Sequence, residues 1–190
     1  MILIERGLAA MRAKQFFEQR EGKSFSNVAL ALELKNLGWT INNVSLGFAL
    51  YAGENLLEVI PRALWSGLGI DSVKRLRKII DDCRKFWVRL PEHADDPEEA
   101  EAEFEIIWAE SLAAQDHEEF SVDAAQNALE DSIAGYINCP VSSVRGEIQA
   151  MSRGLSQGGV KPVSVLDQPG ANPKPIEPIK PKLEPETRVP

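Results

Sequence analysis

The residues best suited to reading another molecule lie in "INNVSLGFALY", where Asn42, Asn43 and Ser45 open an otherwise apolar run. A carboxamide donates and accepts at once, so an asparagine at the start of a helix can pair with the edge of adenine in the major groove. A serine hydroxyl can reach a phosphate. Cations able to hold phosphates surround this run: Arg12, Lys14, Lys23 and Lys35 before it, and Lys74, Arg75 and Lys78 in "KRLRK" after it. The alternative reading of "KRLRK" is a solvated helix face.

Other reactive side chains form no set. "DDPEEAEAEFE" is rich in carboxylates but lacks the ligand order and the glycine of a calcium loop. It reads as a solvated helix start, or as an electrostatic clamp that folds over the basic half or meets a basic partner. His93 and His117 stand apart from any other His or Cys at ligand spacing, so no metal site is expected. Cys83 and Cys139 read as reduced core thiols of a cytoplasmic protein. No catalytic set and no cofactor motif is present, and the expected class is non-enzymatic. The tryptophans, Trp39, Trp65, Trp87 and Trp108, read as packing anchors.

The elements that must position these residues are helical. Punctuation predicts a first helix over Ile4–Arg20, with Leu8, Met11 and Phe16 near one face. Ser26 caps a second helix with an apolar stripe of Leu30, Ala31 and Leu34, and Gly38 supplies the positive φ that ends it. Asn42 caps a third, whose Ile41, Leu46 and Leu50 turn inward while Asn43, Val44, Ser45 and Gly47 face out, with Phe48 read as exposed. Pro61 breaks the fourth segment near Ile60. The fifth carries Val73, Leu76, Ile80, Cys83 and Trp87 at helical spacing. Asp96 and Pro97 start a sixth, with Phe104, Ile107, Trp108 and Leu112 on one side. "SVDAAQNALEDSIAGYIN", with Val122, Ala125, Leu129 and Ile133 in register, and "SSVRGEIQAMSRG" complete the set. No stretch alternates with the period of a strand, so the expectation is an all-α chain.

Charge divides this chain unevenly. Residues 1–89 hold 14 Lys/Arg against 9 Asp/Glu, whereas residues 90–154 hold 2 against 16. Exposed charges are screened beyond about 8–10 Å, so the net charge of -8 does not exclude a phosphate-binding surface in the first half. No apolar run is long enough to span a membrane. From Leu155 the composition shifts: 8 of the 12 prolines lie in residues 155–190, as in "NPKPIEPIKPKLEP", and a solvated, disordered tail is expected there. The domain reading is 1–90 for a helix-turn-helix domain, 91–154 for an acidic helical region offering a dimerisation or partner surface, and 155–190 for the tail.

The order of several motifs resembles the central domain of ParB-type partition proteins, particularly the ParB-like proteins of integrating conjugative elements. They are "ERGL", "GKSFS", "NLGWTI" and "LYAGENLLEVIPRALWSGLG", followed by a basic helix from Val73. "AEFEIIWAESLA" and "FSVDAAQNALEDSIAGYI" are similar, more loosely, to that family's C-terminal region, so the likeness covers roughly residues 4–150. It implies a helix-turn-helix that binds double-stranded DNA, a homodimer, a partner partition ATPase, and a role in maintaining or segregating a plasmid or mobile element. Many members carry a preceding nucleotide-binding domain. The likeness starts after it, implying a fragment, a split gene product or a shortened relative, and no nucleotide binding or nuclease activity is carried over. Members usually place polar and basic residues where this chain has Gly47 and Phe48, and the third helix has no Lys or Arg.

Two functions follow. The first is DNA binding, with Asn42, Asn43 and Ser45 in the groove and Lys23, Lys35, Lys74, Arg75 and Lys78 on phosphates. The second is a protein-interaction scaffold of the same fold, its DNA face eroded, that uses Phe48 and the acidic helices. The surface around Phe48 discriminates them.

Overall fold

A computed structural model describes residues 1–93 and 95–154; the expected Pro-rich tail lies outside the described residues. Those residues are all-α, with no strand among them: α1 (Leu3–Glu21), α2 (Asn27–Asn36), α3 (Asn43–Tyr51), α4 (Pro61–Trp65), α5 (Ile70–Val88), α6 (Pro97–Ala113), α7 (Val122–Tyr136) and α8 (Val141–Ser152). No helix among them is long and apolar enough to cross a membrane.

Local chemistry explains most boundaries. Ser26 Oγ accepts the Ala29 N–H at 3.2 Å and Asn42 Oδ1 accepts the Ser45 N–H at 2.7 Å, satisfying donors that the first turns of α2 and α3 leave open. Gly38, at φ 85°, ends α2, and the Trp39 N–H returns to the Leu34 carbonyl. Asp96 Oδ1 caps α6 through the Glu99 N–H, one residue before Pro97. Beyond Tyr51 the chain widens into a π-helical turn, Ala52–Leu56, and Pro61 begins α4 after a break at Ile60.

The start of α4 is held from far along the chain. The Arg62 and Ala63 N–H groups donate to Asp116 Oδ2 and Oδ1 at 3.1 and 2.9 Å. A helix of five residues cannot sustain itself, and this carboxylate satisfies two of its open donors.

Two apolar clusters organise the packing. The smaller joins α1, α2 and α3 through Ala10, Phe17, Phe25, Leu30, Leu34, Leu46 and Leu50. The larger is built on α5, whose Val73, Leu76, Ile80, Cys83, Phe86 and Trp87 meet Phe104 and Leu112 of α6, Leu129 and Ile133 of α7, and Val144 of α8. Trp87 is fully buried, and its Nε1–H donates to the Ala100 carbonyl at 2.8 Å.

Several side chains differ from the sequence expectation. Phe16 is 60% exposed, and Phe17 takes the inward position, because the buried face of α1 runs through Ile4, Gly7, Ala10 and Phe17. Trp65 is half exposed at the end of α4, not a packing anchor. Cys139 is only partly buried, whereas Cys83 is buried as expected. Ile41, Ala31, Ile107 and Val122 sit at core margins.

α1 crosses α3 at very close range. A Cβ on Gly7 would lie 2.2 Å from the Ala49 carbonyl oxygen, so only glycine permits this approach. The contact fixes the orientation of α3.

Candidate nucleic-acid interface

The first turn of α3 is free of neighbours on one side. Asn42, Asn43 and Val44 are exposed there, while Leu46, Ala49 and Leu50 anchor the helix beneath. Asn42 is committed as the cap, its Oδ1 already holding the Ser45 N–H, whereas the Asn43 amide group makes no hydrogen bond among the described residues. Gly47 faces the start of α2, where an added Cβ would meet Asn27 Nδ2 at 3.0 Å.

Ser45 points to a different side. It lines a groove of about 340 Å³ between α1, α3 and the start of α5, together with Arg6, Gly69 and Ile70. Arg6 was not among the sequence candidates, because nothing local distinguishes it. The α1–α3 crossing at Gly7 brings this exposed cation into the groove that holds Ser45.

Phe48 is half-buried against the larger core rather than exposed. Its position three residues before Tyr51 turns it toward α5, where Arg77 stacks over the Tyr51 ring at 5.0 Å. Burial pushes the Tyr51 hydroxyl up to about 12, with the nearby Asp81 carboxylate adding to the rise. Exposed apolar side chains lie elsewhere on this unit, among them Val28 (64%) and Leu32 (58%), one turn apart on α2, and Val44 (63%) on α3.

The expected phosphate contacts do not converge on one face. Lys35 and Lys74 are exposed and make no ion pair among the described residues, as does Arg12. Lys23 pairs with Glu21 at 2.8 Å and lies over the Phe25 ring, and Lys14 is 3.7 Å from Glu54. Arg75 pairs with Asp123 of α7, and Lys78 with Asp82 and with Ser152 Oγ of α8. These two therefore project toward α7 and α8, away from the α3 side of α5.

Part of the acidic segment folds back onto the basic helix: besides Arg75–Asp123, Arg84 of α5 meets Glu105 of α6. Other carboxylates gather elsewhere. Glu92, Asp95, Asp96, Glu99 and Glu103 line a cavity of about 560 Å³ between the α5–α6 connection and the end of α7. His93 is buried at its edge, with Nδ1 at 2.8 Å from the Trp87 carbonyl and Nε2 at 3.8 Å from Glu103. Such a surface repels phosphates, so any nucleic-acid contact lies away from it.

Compared with protein-family models, with curated proteins and with solved structures, the chain matches none.

Proposed function

We propose that this chain is a double-stranded-DNA-binding protein of the partition type, working without catalysis to help maintain or segregate a plasmid or integrating conjugative element. In this reading α2, the Gly38 turn and α3 act as a helix-turn-helix, with α3 in the major groove. The observation that carries it is the exposed first turn of α3, where Asn43 stands free on a helix whose start is set by the Asn42 cap. Ser45 and Arg6, which line the adjoining groove, and the exposed Lys35 of α2 are the phosphate donors of this unit. Arg75 and Lys78 remain recruitable, since exposed ion pairs contribute only about 0–1 kcal/mol and phosphates can compete for them. A homodimer would place two such units on half-sites about one helical turn apart. A partition ATPase is the expected protein partner.

Because α3 has no cation, affinity rests on few phosphate contacts and is strongly salt-dependent. Fluorescence anisotropy of a labelled random duplex, at low and then physiological salt, tests this directly. Binding that weakens steeply with salt supports it; no binding at low salt ends it.

A second reading, protein binding through the α2–α3 unit, is favoured by the exposed Val28, Leu32 and Val44. Contiguous exposed apolar groups mark interaction surfaces. A Val28→Lys/Leu32→Lys variant separates the two. It retains or strengthens duplex binding if the face meets phosphates, and abolishes complex formation if the face meets protein.

A further inference from the structure

A second basic surface lies on the far side of α5 from α3. Arg77 of α5 meets Tyr51 on the α3 side, whereas Lys78, the next residue, reaches Ser152 of α8. On this α8 side Lys78, Asp82, Lys85 and Arg89 line a groove of about 450 Å³ whose other wall is Met151 and Ser152. Lys74 lies on the same stripe of α5, and Arg153 follows Ser152 at the end of α8.

The charge of this groove is not cancelled. Asp82 bridges Lys78 and Lys85, and both ammonium-bearing side chains remain 65% exposed. Glu147 of α8 is half-buried and already engaged. Lys74, Arg89 and Arg153 are exposed and make no ion pair among the described residues. This occurs although the surrounding segment, residues 90–154, carries 16 carboxylates. Folding places two of them, Asp123 and Glu105, on Arg75 and Arg84 instead.

We propose that this α5–α8 groove binds the phosphate backbone of duplex DNA without regard to sequence. From Lys74 to Arg89 the stripe extends about 22 Å at 1.5 Å per residue, the axial length of about six phosphates of one strand. Among the described residues Met151 is the one apolar side chain lining the groove, so it lacks the aromatic and apolar centre that protein interfaces favour, and lysine is depleted at such centres. Backbone contacts need no apolar centre: they take Lys, Arg and Ser donors, the groups present here. The assignment goes beyond the α3 reading, which concerns base edges on another face.

The experiment is anisotropy of the full chain with a labelled random-sequence 20-base-pair duplex over a salt series. Replacing Lys85, Arg89 and Arg153 together by Gln removes three contacts and lowers the slope of log affinity against log salt by about 2.7. All three side chains are exposed, and circular dichroism checks that the fold is kept. A charge-conserving variant, Lys85→Arg with Arg89→Lys and Arg153→Lys, retains the wild-type slope. An unchanged slope in the Gln variant overturns the proposal, as does loss of slope in the charge-conserving one or absence of wild-type binding. Displacement by polyglutamate as effective, charge for charge, as by unlabelled duplex also overturns it and points to an acidic protein. Failure of the α3 reading is separately visible: Asn43→Ala then leaves discrimination between duplex sequences unchanged while the groove variant still lowers the slope.

Discussion

The close crossing of α1 on α3 makes Gly7→Ala the most informative stability test. The new Cβ would sit 2.2 Å from the Ala49 carbonyl oxygen and 3.1 Å from its carbonyl carbon. Ordinary C···O contacts begin at about 3.3 Å, so the overlap is about 1 Å. The obstacle is backbone inside α3 and cannot rotate away, so α1 must withdraw and loosen Ala10 and Phe17 on the same face. Overpacking of this kind costs up to about 3 kcal/mol or somewhat more, while alanine returns about 1 kcal/mol of helix propensity. The clash wins, leaving a net loss of about 2 kcal/mol, or about 4–8 °C in Tm for a chain of this size. Gly53→Ala is the internal control. Its Cβ is crowded only by the Met11 Sδ, at 2.5 Å, with the Gly7 backbone at an ordinary 3.8 Å, and a thioether on a flexible chain can move aside. Urea unfolding followed by far-ultraviolet circular dichroism compares the two variants. A Gly7→Ala protein as stable as wild type, or more so, would refute the close α1–α3 crossing and with it the orientation of Asn43.

Three further outcomes are expected. Glu130 is almost fully buried and accepts from Arg145 and, at 2.7 Å, from Gln126; Arg145→Leu strands this carboxylate and costs about 3–5 kcal/mol in denaturant unfolding, most of which Glu130→Leu in the same chain restores. Asp116→Ala removes both charge-assisted bonds at the start of α4 and lowers stability by about 2 kcal/mol, with Asp116→Asn near half that, since one amide oxygen can still accept. Two acids make stability fall at high pH: burial pushes the Cys83 thiol up to about 12 from 9.0, with the Glu130 and Asp82 charges adding, and pushes the partly buried Tyr51 up to about 12 from 10.0. The folded chain thus keeps protons that the unfolded chain loses, so this stabilisation is complete below pH 9 and is lost between there and about 12. Thermal melts across that range show a fall that Cys83→Ala with Tyr51→Phe flattens; stability rising with pH in the wild type would contradict it.

The amino-acid sequence by itself determined the helices and their ends. Ser26, Asn42 and Asp96 act on donors three residues away, Gly38 supplies its own positive φ, and Pro61 interrupts its own segment. Such effects need no distant partner, and their signals are readable in order along the chain. The inward faces of α5 and α6 were legible for the same reason, from their spacing. Only the tertiary structure decided which of two adjacent phenylalanines enters the small core, and that Phe48 packs inward while Val28 and Val44 stay out. It also decided which cations remain available. Lys74 and Arg75 are neighbours in sequence and equivalent in type. Yet Arg75 meets Asp123, 48 residues on, and Lys74 meets no carboxylate among the described residues. A helix sends successive side chains about 100° apart, so the fate of each charge depends on which element packs on that side. That packing is a property of the whole fold, and it separates the exposed turn of α3 from the basic groove of α5 and α8.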